Sequence, residues 1–191
     1  MIEVRIHGRG GQGNVVAAYL LATSAIKEGW HAQAFPAFGA ERRGAPVVAF
    51  VRINHEPIRS RCQVASPDFL IIQDRALMKI PGITDGLKNS GKILLNTSKS
   101  SEEYARDNNV DAGLVTTLSA TQLALQYLGR PVPNTALLSA FLQLTDLLPV
   151  SSLIQSLEER FTGDVLEKNI ALIEAATEFT PANLWQGAAN A

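Results

Sequence analysis

Apolar and polar residues alternate from Ile2 to Ile6, and the alternation stops at Gly8, as in a short half-buried strand. From Asn14 to Glu28 the period changes. Val15, Val16, Tyr19, Leu20, Thr23 and Ile26 recur at helical spacing, and Gly29 supplies a C-terminal stop. His31 to Phe35 predicts a second strand, closed by Pro36, and Ala45 to Ile53 predicts the longest one. Asn54-His55-Glu56-Pro57 reads as a turn, after which Ile58 to Gln63 is expected to return as a hairpin partner. Phe69-Leu70-Ile71-Ile72, bounded by Asp68 and Asp74, suits a strand covered on both faces, and Lys92 to Asn96 predicts another.

The second half is mostly helical in pattern. The predicted helices run from Leu118 to Leu128, from Thr135 to Leu147 behind Asn134 as N-cap, from Ser151 to Phe161 and from Leu166 to Thr177. The tail from Pro181 to Ala191 is small and polar apart from Leu184 and Trp185. The pattern predicts a single three-layer α/β domain with a mainly parallel sheet, a glycine loop after the first strand, and a helical C-terminal lobe or arm. The expected divisions are an α/β core over 1–117, a helical part over 118–180 and a tail over 181–191.

Between the first strand and the first helix stands His7-Gly8-Arg9-Gly10-Gly11-Gln12-Gly13. Gly8, Gly10 and Gly13 match the G-x-G-x-x-G spacing of dinucleotide folds. Glycine lets an anionic group approach the backbone, and the helix start at Asn14 offers free N–H groups and a partial positive charge. A tight turn packing helix on strand would use the same residues without a ligand. An NAD site wants an acidic residue at the end of the second strand, and here that strand ends Ala32-Gln33-Ala34-Phe35. Two arginines follow instead, Arg42 and Arg43, which suit a phosphate monoester. They belong to Phe35-Pro36-Ala37-Phe38-Gly39-Ala40-Glu41-Arg42-Arg43-Gly44, a connection whose aromatic and glycine content marks it as more than a solvated charge cluster.

Composition narrows the chemistry. With 46% hydrophobic and 18% charged residues over 191 positions, the chain is globular rather than disordered. A formal net charge of −1 gives no global basic excess to drive nucleic-acid binding. The single cysteine, Cys62, excludes an internal disulfide and a cysteine-ligated cluster built within this chain. No apolar run reaches membrane-spanning length and no signal peptide is visible, so a cytoplasmic protein is expected.

The two glycine-containing motifs, Gly8-Arg9-Gly10-Gly11-Gln12-Gly13 and Glu41-Arg42-Arg43-Gly44-Ala45-Pro46, combine with Gln33-Ala34-Phe35-Pro36, Phe38-Gly39 and Ala49-Phe50-Val51-Arg52-Ile53. Together they strongly resemble the gamma subunit of the 2-oxoacid:ferredoxin oxidoreductases, of which pyruvate:ferredoxin oxidoreductase is the best-known type. The match is most specific from Gly8 to Ile53, and the resemblance extends over residues 1 to about 180. The resemblance implies a subunit of an enzyme that oxidatively decarboxylates a 2-oxoacid to an acyl-CoA. Thiamine diphosphate and iron–sulfur clusters would sit on partner subunits of alpha, beta and delta (ferredoxin-like) type, with ferredoxin or another acceptor served indirectly. This chain would cover the thiamine site and help bind coenzyme A. It would not be catalytic alone and would have no nucleic-acid or membrane partner. Carried over by residue, Gly8, Gly10, Gly11, Gln12, Gly13 and Asn14 would form the coenzyme A phosphate loop. Arg42, Arg43 and Gly44 would meet the ribose phosphate.

Other features weigh less. His7, His31 and His55 are scattered and lack partners at metal-ligand spacing. Thr84-Asp85-Gly86 with Asn108 partly matches a thiamine-diphosphate motif but lacks its first glycine, which favours a simple turn. Ser98, Ser100 and Ser101 read as a surface loop, and Asn96-Thr97-Ser98 as a site margin. Cys62 stands near Arg59 and Arg61 without an assigned role. A free-standing NADP-binding oxidoreductase and a purely structural interaction subunit are the competing functions.

Overall fold

The computed structural model describes residues 1–37 and 44–189. Strand β1 (Ile2–Arg9) leads through the glycine loop into helix α1 (Asn14–Lys27), followed by β2 (His31–Pro36), β3 (Pro46–Asn54) and β4 (Phe69–Ile72). A 3-10 turn over Arg75–Lys79 precedes β5 (Lys92–Asn96), α2 (Ser101–Asn108) and β6 (Val115–Leu118). The remainder is helical: α3 (Ala120–Leu128), α4 (Asn134–Thr145), α5 (Val150–Glu158), α6 (Gly163–Glu178) and the short α7 (Gln186–Ala189).

The six strands form one sheet in the order β2-β3-β1-β4-β5-β6. β4 and β5 run parallel to their neighbours, while β3 is antiparallel to both β1 and β2. β3 is therefore the one strand of this sheet that runs the other way. Ile58 to Gln63 is not a strand, which corrects the expected hairpin. Both edges of β3 are already occupied, by β1 and β2, so no ladder is left for a returning chain.

Alternation along the strands sorts the two faces. Val4, Ile6, Ala49, Val51, Ile53, Phe69, Ile71 and Leu94 join α1 and α3 to α6 in one continuous core. Leu70, Ile72, Ile93, Leu95 and Val115 point the other way and meet Leu77 of the 3-10 turn and Tyr104 of α2. The three expected layers are present. Every residue of α4 except Gln143 is buried, as in a helix surrounded by its own protein. The helical second half thus lies on the sheet and shares its core. The tail joins it: Trp185 is buried, its ring stacks on Phe69 at 5.9 Å, and its N–H donates to Leu144 O at 2.7 Å.

Two elements have weak sequence signals. β6 is half polar, with Thr116 and Thr117 at its centre, and the helix expected from Leu118 begins instead at Ala120. α2 has a polar sequence, but Ser100 and Glu103 form a capping box that fixes its start.

Candidate functional site

The glycine loop is shaped by two asparagines. A Cβ on Gly8 would lie 2.5 Å from Asn14 Oδ1, and a Cβ on Gly13 would lie 2.6 Å from Asn134 Nδ2. Gly13 also has φ +80 and Gly11 φ +96, backbone that L side chains rarely adopt. Gly8 and Asn14 are buried, so they serve the packing of α1 on β1. Gly10, Gly11, Gln12 and Gly13 are the part of the loop that reaches the surface. Asn14 Nδ2 donates to Val47 O at 2.9 Å, tying α1 to β3. Asn134 Nδ2 donates to Gly13 O at 3.5 Å, tying the loop to α4.

The loop's own polar groups are partly spent. Gly10 N–H donates to Ala45 O and Gln12 N–H to Arg9 O, both at 3.0 Å, while Arg9 N–H donates to Gln12 Oε1 at 2.7 Å. Gly13, the N-cap of α1, has no side chain to cap it, and the first intrahelical bond runs from Ala17 N–H to Gly13 O. The first-turn residues Asn14, Val15 and Val16 line a cleft of about 240 Å³ together with Gly10, Gly11 and Val47. A helix start of this kind has partial positive charge and donors to offer an anion.

Arg9 joins the two motifs. Its guanidinium pairs with Asp74, at the end of β4, and Nη1 donates to Gly44 O at 3.1 Å. Asp74 also caps the 3-10 turn by accepting from Ala76 N–H. The structure therefore brings Gly8, Gly10, Gly11, Gln12, Gly13, Asn14 and Gly44 to one edge of the sheet. Arg42 and Arg43 lie outside the described residues.

A second cleft, of about 330 Å³, opens beside the loop outside the carboxyl ends of β4, β5 and β6, and its lining residues are all polar or charged. Gln12 forms part of its wall. Asn96 is a strut there. Its Nδ2 donates to Gln73 O at 2.8 Å and to Thr121 Oγ1 at 2.7 Å, and its Oδ1 accepts from Thr121 N–H. The Gln73 side chain is buried with neither amide atom partnered among the described residues. An unsatisfied buried amide costs about 1–3 kcal/mol.

Beneath β1 and β3, on the face opposite the main core, lies a charged layer. Arg52 is 2% exposed, pairs with Glu3 at 2.7 Å and lies 5.6 Å from the Phe35 ring centroid. Its Nη2 contacts Cys62 Sγ at 3.7 Å. Arg5 Nη2 donates to Ile83 O and Asp85 O. His7 is buried with both ring nitrogens unpartnered among the described residues. Burial, reinforced by the Arg5 charge, pushes its pKa down to about 4, so the ring is neutral near pH 7. Gly86, from the partial thiamine motif, has φ +74, and a Cβ there would lie 2.0 Å from Ala65 O. Close backbone packing accounts for that glycine. Among the described residues no group of three or more His, Cys, Asp or Glu could hold a metal ion, and no helix is long and apolar enough to cross a membrane.

Sequence reasoning did not single out Arg9, Gln73 or Asp74, and it read Asn134 only as an N-cap, whereas α4 has Pro133 in that place and Asn134 as its first residue. Gln73 and Asp74 had a readable signal. They follow an apolar strand directly, as Asn96-Thr97-Ser98 do, and sheet-end polar residues are where ligands meet open α/β folds.

The model of the pyruvate ferredoxin/flavodoxin oxidoreductase family matches residues 3–179. The pyruvate synthase subunit PorC of Methanothermobacter marburgensis is 46% identical over 179 residues, covering 93% of this chain and 97% of that protein. Among solved structures, the pyruvate oxidoreductase subunit PORC of Thermotoga maritima superposes with a TM-score of 0.82 at 35% identity, covering 93% of this chain and 95% of that one. A 2-oxoglutarate:ferredoxin oxidoreductase from Magnetococcus marinus, with 2-oxoglutarate, coenzyme A and succinyl-CoA bound, shares the fold. Its TM-score is 0.73 at 19% identity, over 93% of this chain and 30% of that one. The chain belongs to the pyruvate ferredoxin/flavodoxin oxidoreductase family, as a gamma-type subunit of a multisubunit 2-oxoacid oxidoreductase.

Proposed function

We propose that this subunit supplies the phosphate-binding part of a coenzyme A site and covers a thiamine diphosphate centre held by partner subunits. The observation that carries the reading is the uncapped start of α1 behind the glycine loop. Its first-turn residues Asn14, Val15 and Val16 line a cleft together with Gly10, Gly11 and Gly13, where a phosphate would meet backbone N–H groups rather than side chains at the glycines. The distantly similar Magnetococcus enzyme has coenzyme A bound, which supports the same ligand here. Gly10 to Asn14 would approach its phosphates. Arg42 and Arg43, carried by the chain that ends at Gly44 beside Arg9, would meet the ribose phosphate, with Gly44 at the margin.

In this reading the partners are alpha, beta and delta (ferredoxin-like) subunits that carry thiamine diphosphate and the iron–sulfur clusters. The assembly works in the cytoplasm, and the whole chain acts as one domain. When bound, coenzyme A supplies the thiol that takes the acyl group, and this chain's task is to hold the nucleotide end.

The free-standing NADP enzyme loses its geometric basis. β3 stands between β1 and β2, so the end of β2 is two strand spacings from β1, roughly 10 Å. A residue there is displaced from the place where a dinucleotide fold reads the ribose.

The test uses the co-expressed complex. Arg42→Ala and Arg43→Ala should each raise the apparent coenzyme A constant about ten- to a hundredfold. They should leave 2-oxoacid decarboxylation largely intact and reduce discrimination against dephospho-coenzyme A. Unchanged constants and unchanged discrimination in both variants would reject the arginine assignment.

A further inference from the structure

We propose that Cys62 is a site of reversible oxidation by hydroperoxides, and that the buried Arg52 guanidinium holds the oxygen placed on its sulfur.

Cys62 is exposed and lies in the connection between β3 and β4. That connection is pinned on both sides of it. Gln33 Nε2 donates to Ile58 O at 3.0 Å before it, and Val64 and Pro67 are buried after it. Between these anchors the sulfur rests on the sheet face that carries Arg52, with Arg52 Nη2 at 3.7 Å from Sγ. The residue is thus open to reagents from solution while its sulfur is held against a cation.

The guanidinium carries the argument further than the cysteine does. Arg52 is 2% exposed, and its Nε donates to Glu3 Oε1 at 2.7 Å. The far edge of its fork consists of Nη1 and Nη2. Nη2 meets only the sulfur, which is a weak acceptor, and Nη1 is buried with no partner among the described residues. A buried cation with under-used N–H groups beside an accessible sulfur is short of one oxygen acceptor. Oxidation of Cys62 creates that acceptor in place. The new oxygen is bonded directly to Sγ, within reach of the Nη edge, and charge-assisted hydrogen bonds of this kind are about twice as strong as neutral ones. The reduced thiol has no equivalent to offer, so the site favours the oxidised form.

The chemistry balances with a hydroperoxide as the oxidant. Sγ attacks one peroxide oxygen, the S–O bond forms as the O–O bond breaks, and the thiol proton leaves on the departing oxygen. The products are a sulfenic acid and an alcohol, or water when the oxidant is hydrogen peroxide; the sulfur is oxidised by two electrons and the peroxide reduced by two. A small thiol then displaces the sulfenic hydroxyl as water, giving a mixed disulfide, and a second thiol molecule releases Cys62 as the free thiol.

The test treats the assembled complex with stoichiometric hydrogen peroxide in the presence of a 1,3-dione that traps sulfenic acids, and reads the mass of this subunit. Cys62 is its one cysteine, so a dione adduct on a cysteine has a single address. The native complex should take up roughly tenfold more label than the same subunit unfolded in urea, and a small thiol added before the dione should abolish the label. Label no greater than in the unfolded chain overturns the proposal, as does protection of Cys62 by a partner subunit. Because Arg52 variants can fail to fold, its role is tested from the cysteine side. Cys62→Asp puts two oxygens one bond beyond the position of Sγ, and its thermal midpoint should exceed that of Cys62→Asn by about 2–4 °C. Equal midpoints for the two variants overturn the assignment of Arg52 as the group that holds the oxygen.

Discussion

At β1 and β3 the two faces of the sheet are buried by different means. On one, Val4, Ile6, Val51, Ile53 and Phe69 meet five helices, and buried polar side chains there such as Ser24, Ser139 and Thr145 bond to the backbone of their own helix. On the other, the strands at positions 5, 7 and 52 carry Arg5, His7 and Arg52, closed in by Glu3, Cys62 and the carbonyls of Ile83 and Asp85. Apolar burial is non-directional and tolerates adjustment, whereas a buried charge depends on particular partners. The first face should therefore lose stability in proportion to the volume removed. The second should lose it in response to single atoms or single protons.

Truncating the apolar side gives the largest effect. Trp185→Ala should cost about 3–5 kcal/mol, since the ring is buried against Phe69. At about 2–4 °C per kcal/mol for a chain of this size, the midpoint should fall by roughly 6–20 °C in thermal unfolding. A loss of only a degree or two would show that the tail is peripheral.

On the charged side, Glu3→Gln changes one atom but leaves Arg52 without its counter-charge. We expect about 3 kcal/mol, the low end for a broken buried pair because Glu3 retains some exposure. Replacing both residues by leucine should recover much of that loss. If the double variant is less stable than Glu3→Gln, the loss does not come from an unpaired buried charge and the contrast between the faces is wrong.

His7 sharpens the contrast through pH. Its folded pKa of about 4 lies below the ordinary value of about 6.5, so between those values the unfolded chain binds more protons. Its contribution to stability is complete above about pH 6.5 and is lost as the pH falls toward 4, at most about 3 kcal/mol. Denaturant titrations across that window should show the slope, and His7→Leu should flatten it. An unaltered acid limb in the variant would assign the slope to other groups.

The smallest effect belongs where the apolar side meets the loop. Asn134→Ala removes the bond to Gly13 O and the acceptor for Thr135 N–H. It should cost about 1 kcal/mol in the chain and raise the coenzyme A constant of the complex without changing kcat. A fall in kcat with an unchanged constant would place Asn134 outside the positioning of the loop.

These contrasts explain what the sequence could show. β1, α1, β3 to β5 and the four long helices announce themselves through hydrophobic period. So does the glycine loop, because φ near +80 at Gly13 and the contact at Gly8 each demand glycine. β6 is hidden because Thr116 and Thr117 interrupt its apolar pattern, and α2 because only its capping box marks it. Arg5, His7 and Arg52 occupy the solvent-facing phase of ordinary alternating strands, so nothing local reveals that His7 and Arg52 are buried and Arg5 half-buried. Asn134 acquires meaning only through Gly13, far away in sequence, and a one-dimensional pattern does not carry that information.

The antiparallel insertion of β3 has a consequence for how the protein can change. It makes the connection after β2 a hairpin whose ends are riveted: Ala37 N–H to Val48 O at 2.8 Å on one side, Gly44 O to Arg9 and Ala45 O to Gly10 on the other. Chain between such fixed points can be exchanged or lengthened with little cost to the sheet, since each doubling of a loop adds only about 0.6 kcal/mol of closure entropy. Changes of length or sequence between Ala37 and Gly44 should therefore leave the sheet and the glycine loop standing, so this is where the chain can vary at least cost to its fold.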